Sequence, residues 1–161
     1  MIKLKNLLLE LKSPKLEYIS FSEDEGISYE SLEDLELEDY EDDILKQIDE
    51  IESKSGIHLT RDRYINQILF DINNKKVAGI LYLSSDTDKF TFDVIVAKEY
   101  QNKGIAKMLI EDALEIYEYD NELYNNRIEV DAVNPIMANI LKNKFNFKVK
   151  EKLPNREILT L

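Results

Sequence analysis

The feature that most narrows what this chain can become lies between Tyr64 and Ile116. Three short apolar runs, each ended by turn residues, give way there to one helical stripe. "YINQILFDI" is followed by "NNKK", "VAGILYLSS" by "SDTD", and "KFTFDVIVA" runs from Lys89 to Ala97. Their length and patterning predict strands, and the polar clusters between them predict hairpin turns. In the third run Phe90, Phe92, Val94 and Val96 share one face. Ile105, Met108, Leu109, Ala113 and Ile116 then recur at helical spacing. The simplest arrangement is an antiparallel meander of three strands followed by a helix.

The chain after the stripe repeats the alternation. "NRIEVDAV" reads as a fourth strand. "NPIMANILKNKF" reads as a helix, with Asn134 as N-cap and Pro135 in its first turn. "FKVKEK" and "REILTL" are short final strands meeting near Pro154. The step from about Phe90 to Val133 should be a parallel, right-handed crossover. Upstream, "KLEYIS" (15–20) is a further strand candidate. "DDILKQIDEIESKSG" places Ile44, Leu45, Ile48 and Ile51 on one helical side and ends at Gly56. Residues 23–38 fit loop or helix equally. The opening "MIKLKNLLLELKSPK" reads as a folded helix over 2–12 rather than a leader, because Glu10 interrupts the apolar run. The expected class is α+β, a mixed and mostly antiparallel central sheet with helices on both faces.

Charge is unevenly spread. The net charge is −12, and there is no cysteine and one histidine, His58. Thiolate chemistry and His-rich metal sites are therefore excluded, no metal is expected, and nucleic acid is disfavoured as a partner. No run is apolar and long enough to span a membrane, and a cytoplasmic setting is the default expectation. Between Glu23 and Glu52 the sequence has fifteen acids against one lysine. Residues 98–107 carry three lysines and one acid, and 142–152 carry five lysines and one acid. Such segregation suits a chain that holds an anion on one side and a cation on the other, although charge runs also serve as solvated faces.

Gly104 stands where the third strand passes into the stripe helix, in "YQNKGIAKML". A helix start leaves backbone N–H groups without partners and attracts phosphate. A residue without a Cβ lets such a ligand come close. Gln101, Asn102, Lys103, Ile105, Ala106 and Lys107 complete a candidate pyrophosphate cradle around Gly104. A glycine at such a junction also has purely steric uses.

"VIVAKEYQNKGIAKMLI" resembles the acyl-CoA-binding motif of the GCN5-related N-acetyltransferases. Val96, Tyr100, Gln101, Gly104 and Ala106 fall in register, and Leu109 and Ile110 fit the helix that follows. "IEVDAVNPIMANILKNKFNF" is similar to the family's second signature through Asn134, Ala138, Leu141 and Phe147. It departs in spacing by one residue, in Asn146 where the family has glycine, and in Lys142 where the family often has a tyrosine acid. The resemblance runs from Tyr64 to Leu161. It implies one domain over 1–161, with 64–161 as an acetyl-CoA-binding core and 1–63 as a helical, acidic, acceptor-side region.

The activity so implied is direct transfer of an acetyl group from acetyl-CoA, the cosubstrate, to a primary amine. A base must take the amine's proton, and backbone donors must hold the oxyanion. The family pattern assigns those donors to Val94, Ile95 and Val96. Base candidates are Asp93, Glu129 and Asp131, with Glu129 and Asp93 first. Each carboxylate could equally be a solvated or cross-strand paired residue. Tyr82, Tyr100 and Tyr124 are candidate acids, and Lys142 and Lys144 candidate phosphate contacts. His58 is not assigned a role. The acidic segment would suit a cationic acceptor, either a small molecule or a protein amine. The family often dimerises, so a homodimer is a further expectation. The alternative is a catalytically weak or inactive module of the same fold that binds CoA or a protein, which the missing tyrosine favours. A third option is transfer of another acyl group.

Overall fold

Two long apolar runs joined by a short polar turn form the central hairpin, β3 (Arg63–Asp71) and β4 (Lys76–Ser84). Asp71 faces Lys76 across the turn, and Lys75 takes a φ of 55° to close it. β5 (Phe92–Val96) lies antiparallel beyond β4, with Val96 opposite Gly79. β1 (Leu16–Ser22) flanks β3 and carries the two-residue β2 (Gly26–Ile27). The first sheet therefore runs β2-β1-β3-β4-β5. The computed structural model describes residues 13–22, 26–55, 63–84, 89–120, 127–132 and 134–161. The expected helix over 2–12, the "SDTD" turn, Gly56, His58, Tyr124 and Val133 lie outside them.

Of residues 23–38, open from the sequence, the described part, 26–38, holds β2 and a short helix, α1 (Tyr29–Asp34), capped by the Ser28 hydroxyl accepting from Ser31 N–H. α2 (Glu41–Ser55) follows, with three acids in its first turn and Lys54 in its last, as the helix dipole favours. Ile44 and Ile48 are buried, while Leu45 sits at the exposed rim. Gln47 fastens α2 to the hairpin: its amide donates to Lys75 O at 3.0 Å and accepts from Val77 N at 2.8 Å.

α3 (Ile105–Asp120) packs on the other face of the sheet. Gly79 sets that approach. A Cβ there would lie 2.8 Å from Leu109 Cδ1 and 3.1 Å from Ile105 Cγ2, so the helix occupies the space a side chain would need.

The sheet thus separates two cores. Ile19, Ile68, Ile80, Tyr82 and Ile95 pack with the acidic layer of α1 and α2. Leu81, Leu83, Phe90 and Phe92 pack with α3 and with α4 (Pro135–Lys144). Strand alternation produces the division, because successive residues such as Val94 and Ile95 point to opposite faces.

β6 (Glu129–Ala132), β7 (Lys148–Leu153) and β8 (Arg156–Thr160) form a second antiparallel sheet in the order β6-β8-β7. The α+β class and the mixed, mostly antiparallel pairing expected from the sequence are present, divided between two antiparallel sheets. A single parallel bridge, Phe90 to Ile128, joins them.

Candidate active site

β5 and β6 begin side by side and then part. Phe90 N donates to Arg127 O at 2.8 Å, and Glu129 N donates to Phe90 O at 2.9 Å. Past that bridge β5 pairs with β4 and β6 pairs with β8. Ser84 N donates to Thr91 O at 3.0 Å and Ala97 N to Ala78 O at 2.9 Å. Odd-numbered residues of β5 therefore aim their backbone groups at β4. Phe92, Val94 and Val96 aim theirs, like Phe90, into the gap between the diverging strands. The N–H groups of Val94 and Val96 face that gap. Ile95 instead has its backbone engaged with β4 and its side chain in the α2-side core.

The open edge leads straight to the glycine turn. After the 3₁₀ turn Lys98–Tyr100 the chain crosses Gln101 to Gly104 and enters α3. Asn102 and Gly104 both adopt positive φ, 62° and 79°. Gly104 O accepts from Met108 N at 3.1 Å, so Gly104 caps the helix. The N–H groups of Ile105, Ala106 and Lys107 thus have no carbonyl one turn earlier to bond. A Cβ on Gly104 would meet nothing within 4 Å. Its φ, rather than crowding within the chain, is what calls for glycine. Gln101 to Gly104 and Lys107 are exposed, whereas Ile105 is buried. Gln101 Nε2 reaches back to Val96 O at 3.4 Å. Lys103 Nζ lies 5.7 Å from the Tyr100 ring centre, and Lys107 pairs with Glu111 at 3.6 Å.

The second motif is built as its sequence requires. Asn134 Oδ1 accepts from Ile136 N at 2.9 Å and caps α4. Lys142, a candidate phosphate contact, is held by Glu157 of β8 at 2.9 Å.

The acid–base candidates separate on geometry. Glu129 pairs with Lys89 at 3.1 Å and with Lys150. The Lys150 hydrogen bond lowers its pKa, partial burial opposes this, and Lys89 adds to the lowering. Both oxygens are engaged and proton affinity is reduced, which suits a cross-strand ion pair better than a base. Asp131 pairs with Arg156 at 3.4 Å. Asp93 is 4 % exposed, stands opposite Tyr82, and faces the α2 side one residue before Val94. The Tyr82 hydroxyl donates to Glu52 Oε1 at 2.7 Å. Burial first, and then Glu52, raise the Tyr82 pKa. Burial and Asp71 do the same to Tyr100. Both phenol protons are committed to carboxylates.

Three participants had only weak sequence signals. Glu52 was one acid among fifteen. Gly79 lay inside an apolar run. Asp71 lay near the end of a strand run, just before a turn, with nothing to mark it.

The sequence matches the model of the Acetyltransferase (GNAT) family over residues 28–145. That span exceeds half the chain, and the protein belongs to this family. No curated protein matches it. Among solved structures the fold is similar to a bacterial toxin (TM-score 0.58, 16 % identity, 92 % of this chain and 91 % of that one). It is also similar to a mutant of the spermidine N-acetyltransferase SpeG from Vibrio cholerae (0.50, 18 %, 90 % and 91 %). A third is smu.2055 from Streptococcus mutans (0.50, 17 %, 73 % and 92 %). Among the described residues no helix is long and apolar enough to cross a membrane.

Proposed function

We propose that this chain transfers an acetyl group from acetyl-CoA to a primary amine. The observation that carries the proposal is the continuity of the β5 edge with the Gly104 turn. Backbone donors at Val94 and Val96 face the gap between β5 and β6, and that gap ends at the bare N–H groups of a helix start. An extended pantetheine chain could lie along such an edge by backbone hydrogen bonding, with its diphosphate at Gly104 to Lys107. Lys103 would add positive charge. The Val94 N–H is the better oxyanion donor than that of Ile95, whose backbone the sheet already uses.

The acceptor amine would approach from the α2 side, across the acidic layer. Asp93 is the favoured base there, acting directly or through water. Attack of the free amine on the thioester carbonyl forms the new amide bond and releases the CoA thiolate. No covalent enzyme intermediate is needed, which accords with a chain lacking cysteine. A cationic acceptor fits the charge of that layer. The setting would be the cytoplasm, where acetyl-CoA is supplied.

Acetyl-CoA should raise the melting temperature, and Gly104→Glu should abolish the rise, because the new side chain brings both an unfavourable φ and a negative charge. Unchanged melting of the wild type at millimolar acetyl-CoA would overturn the assignment. For the base, Asp93→Asn should lower kcat on an accepted amine by about a hundredfold or more with little change in CoA affinity. Glu129→Gln should leave kcat within about threefold.

A further inference from the structure

Asp71 is fully buried, and among the described residues no cation is bonded to it. Its Oδ1 accepts from the N–H groups of Lys15 (3.1 Å), Asn73 (3.1 Å) and Asn74 (3.4 Å). Its Oδ2 accepts from Asn74 Nδ2 (2.6 Å) and the Tyr100 hydroxyl (2.6 Å). One carboxylate therefore joins the entry to β1, the β3–β4 turn and the residue just before the cradle. Twenty-nine residues separate it from Tyr100, so no local turn accounts for the contact.

The cradle needs such an anchor. Two of its five exposed residues, Asn102 and Gly104, hold left-handed backbone. Asn there costs conformational energy that neighbouring structure must offset. On the helix side, buried Ile105 seats the loop against Gly79. On the strand side, buried Tyr100 does so, and its hydroxyl is tied to Asp71. The Tyr100 ring also lies under Lys103.

We propose that Asp71 is a positioning residue for the diphosphate cradle, acting through the Tyr100 hydroxyl. The proposal rests on acetyl-CoA being the acyl donor. Tyr100→Phe isolates the link, since it keeps the buried ring and the surface under Lys103 and removes one hydroxyl. Calorimetric titration with CoA and with pantetheine, which lacks the diphosphate, separates cradle geometry from general loss of structure. The Y100F protein should bind CoA about five- to tenfold more weakly, with pantetheine binding within about twofold of wild type. Asp71→Asn, where it folds, should weaken CoA at least as much, and the double variant no more than Asp71→Asn alone. A wild type that prefers CoA beside a Y100F with the same preference overturns the role of Asp71. Equal weakening of both ligands overturns it as well. A wild type that binds CoA no tighter than pantetheine overturns the donor assignment and this role together.

Discussion

Asp71, at the tip of the central hairpin, and Glu129, on the first strand of the second sheet, are both held below the ordinary pKa of their side chains. For Asp71, burial works toward a higher pKa, and hydrogen bonds from Tyr100, Asn74 and Lys15 outweigh it. For Glu129, Lys150 and Lys89 lead and partial burial opposes them. The first region stabilises a charge with neutral dipoles away from water. The second uses opposite charges at the surface, with the Lys150 side chain 51 % exposed. Neutral donors inside the fold fix direction and distance, and salt screens them little. Surface ion pairs hold a geometry loosely and weaken as salt rises. The difference teaches where precision is required: the dipole network adjoins the glycine turn, and the ion pairs brace a strand edge.

The largest expected effect tests the buried side. Asp71→Ala leaves the buried Tyr100 hydroxyl and the partly buried donors of Lys15, Asn73 and Asn74 without their acceptor, and should cost about 3–5 kcal/mol in urea unfolding. A loss below about 1 kcal/mol would remove the contrast. Gly79→Ala comes next. Its methyl would press on Leu109 and Ile105, and should cost about 1–3 kcal/mol through overpacking. The loss should be read by the same urea unfolding. Glu129→Gln should cost about 1 kcal/mol or less at low salt, shrinking toward zero at 1 M NaCl.

Acid titration sharpens the same comparison. Both folded-state pKa values are lowered, from 3.8 for Asp71 and 4.5 for Glu129. Each group's contribution is therefore complete above its unfolded value and is lost as pH falls through the folded value. Stability should fall progressively below about pH 4.5. The part removed by Glu129→Gln should fade in salt, and the part removed by changes at Asp71 should persist.

The legibility of the fold followed the range of the interactions that make it. The "NNKK" turn, the stripe beginning at Ile105 and the Asn134 cap are set by neighbours within a few residues. All three stand in the structure where the sequence suggested, to within a residue or so. Sequence order also foretold that the strand holding Phe90 would meet the strand holding Ile128 in parallel, and they do so at one bridge. That they part immediately afterwards was not legible, since divergence depends on how α3 and α4 fill the space beneath two sheets. The site divides likewise. Gly104 was readable because a backbone conformation needs a particular residue. The ion pairing of Glu129 was not, because its lysines lie 40 positions upstream and 21 downstream, and only folding brings them to it.

By itself the sequence determined the longer strands and helices from β3 onward, the glycine at the junction and the segregation of acid from base, because periodicity, turn chemistry and charge are local properties. Tertiary structure decided which backbone groups of β5 stay open, which carboxylates are already spoken for, and that a hairpin-tip aspartate holds the tyrosine beside the glycine turn. Those depend on long-range register and burial, which no window along the chain contains.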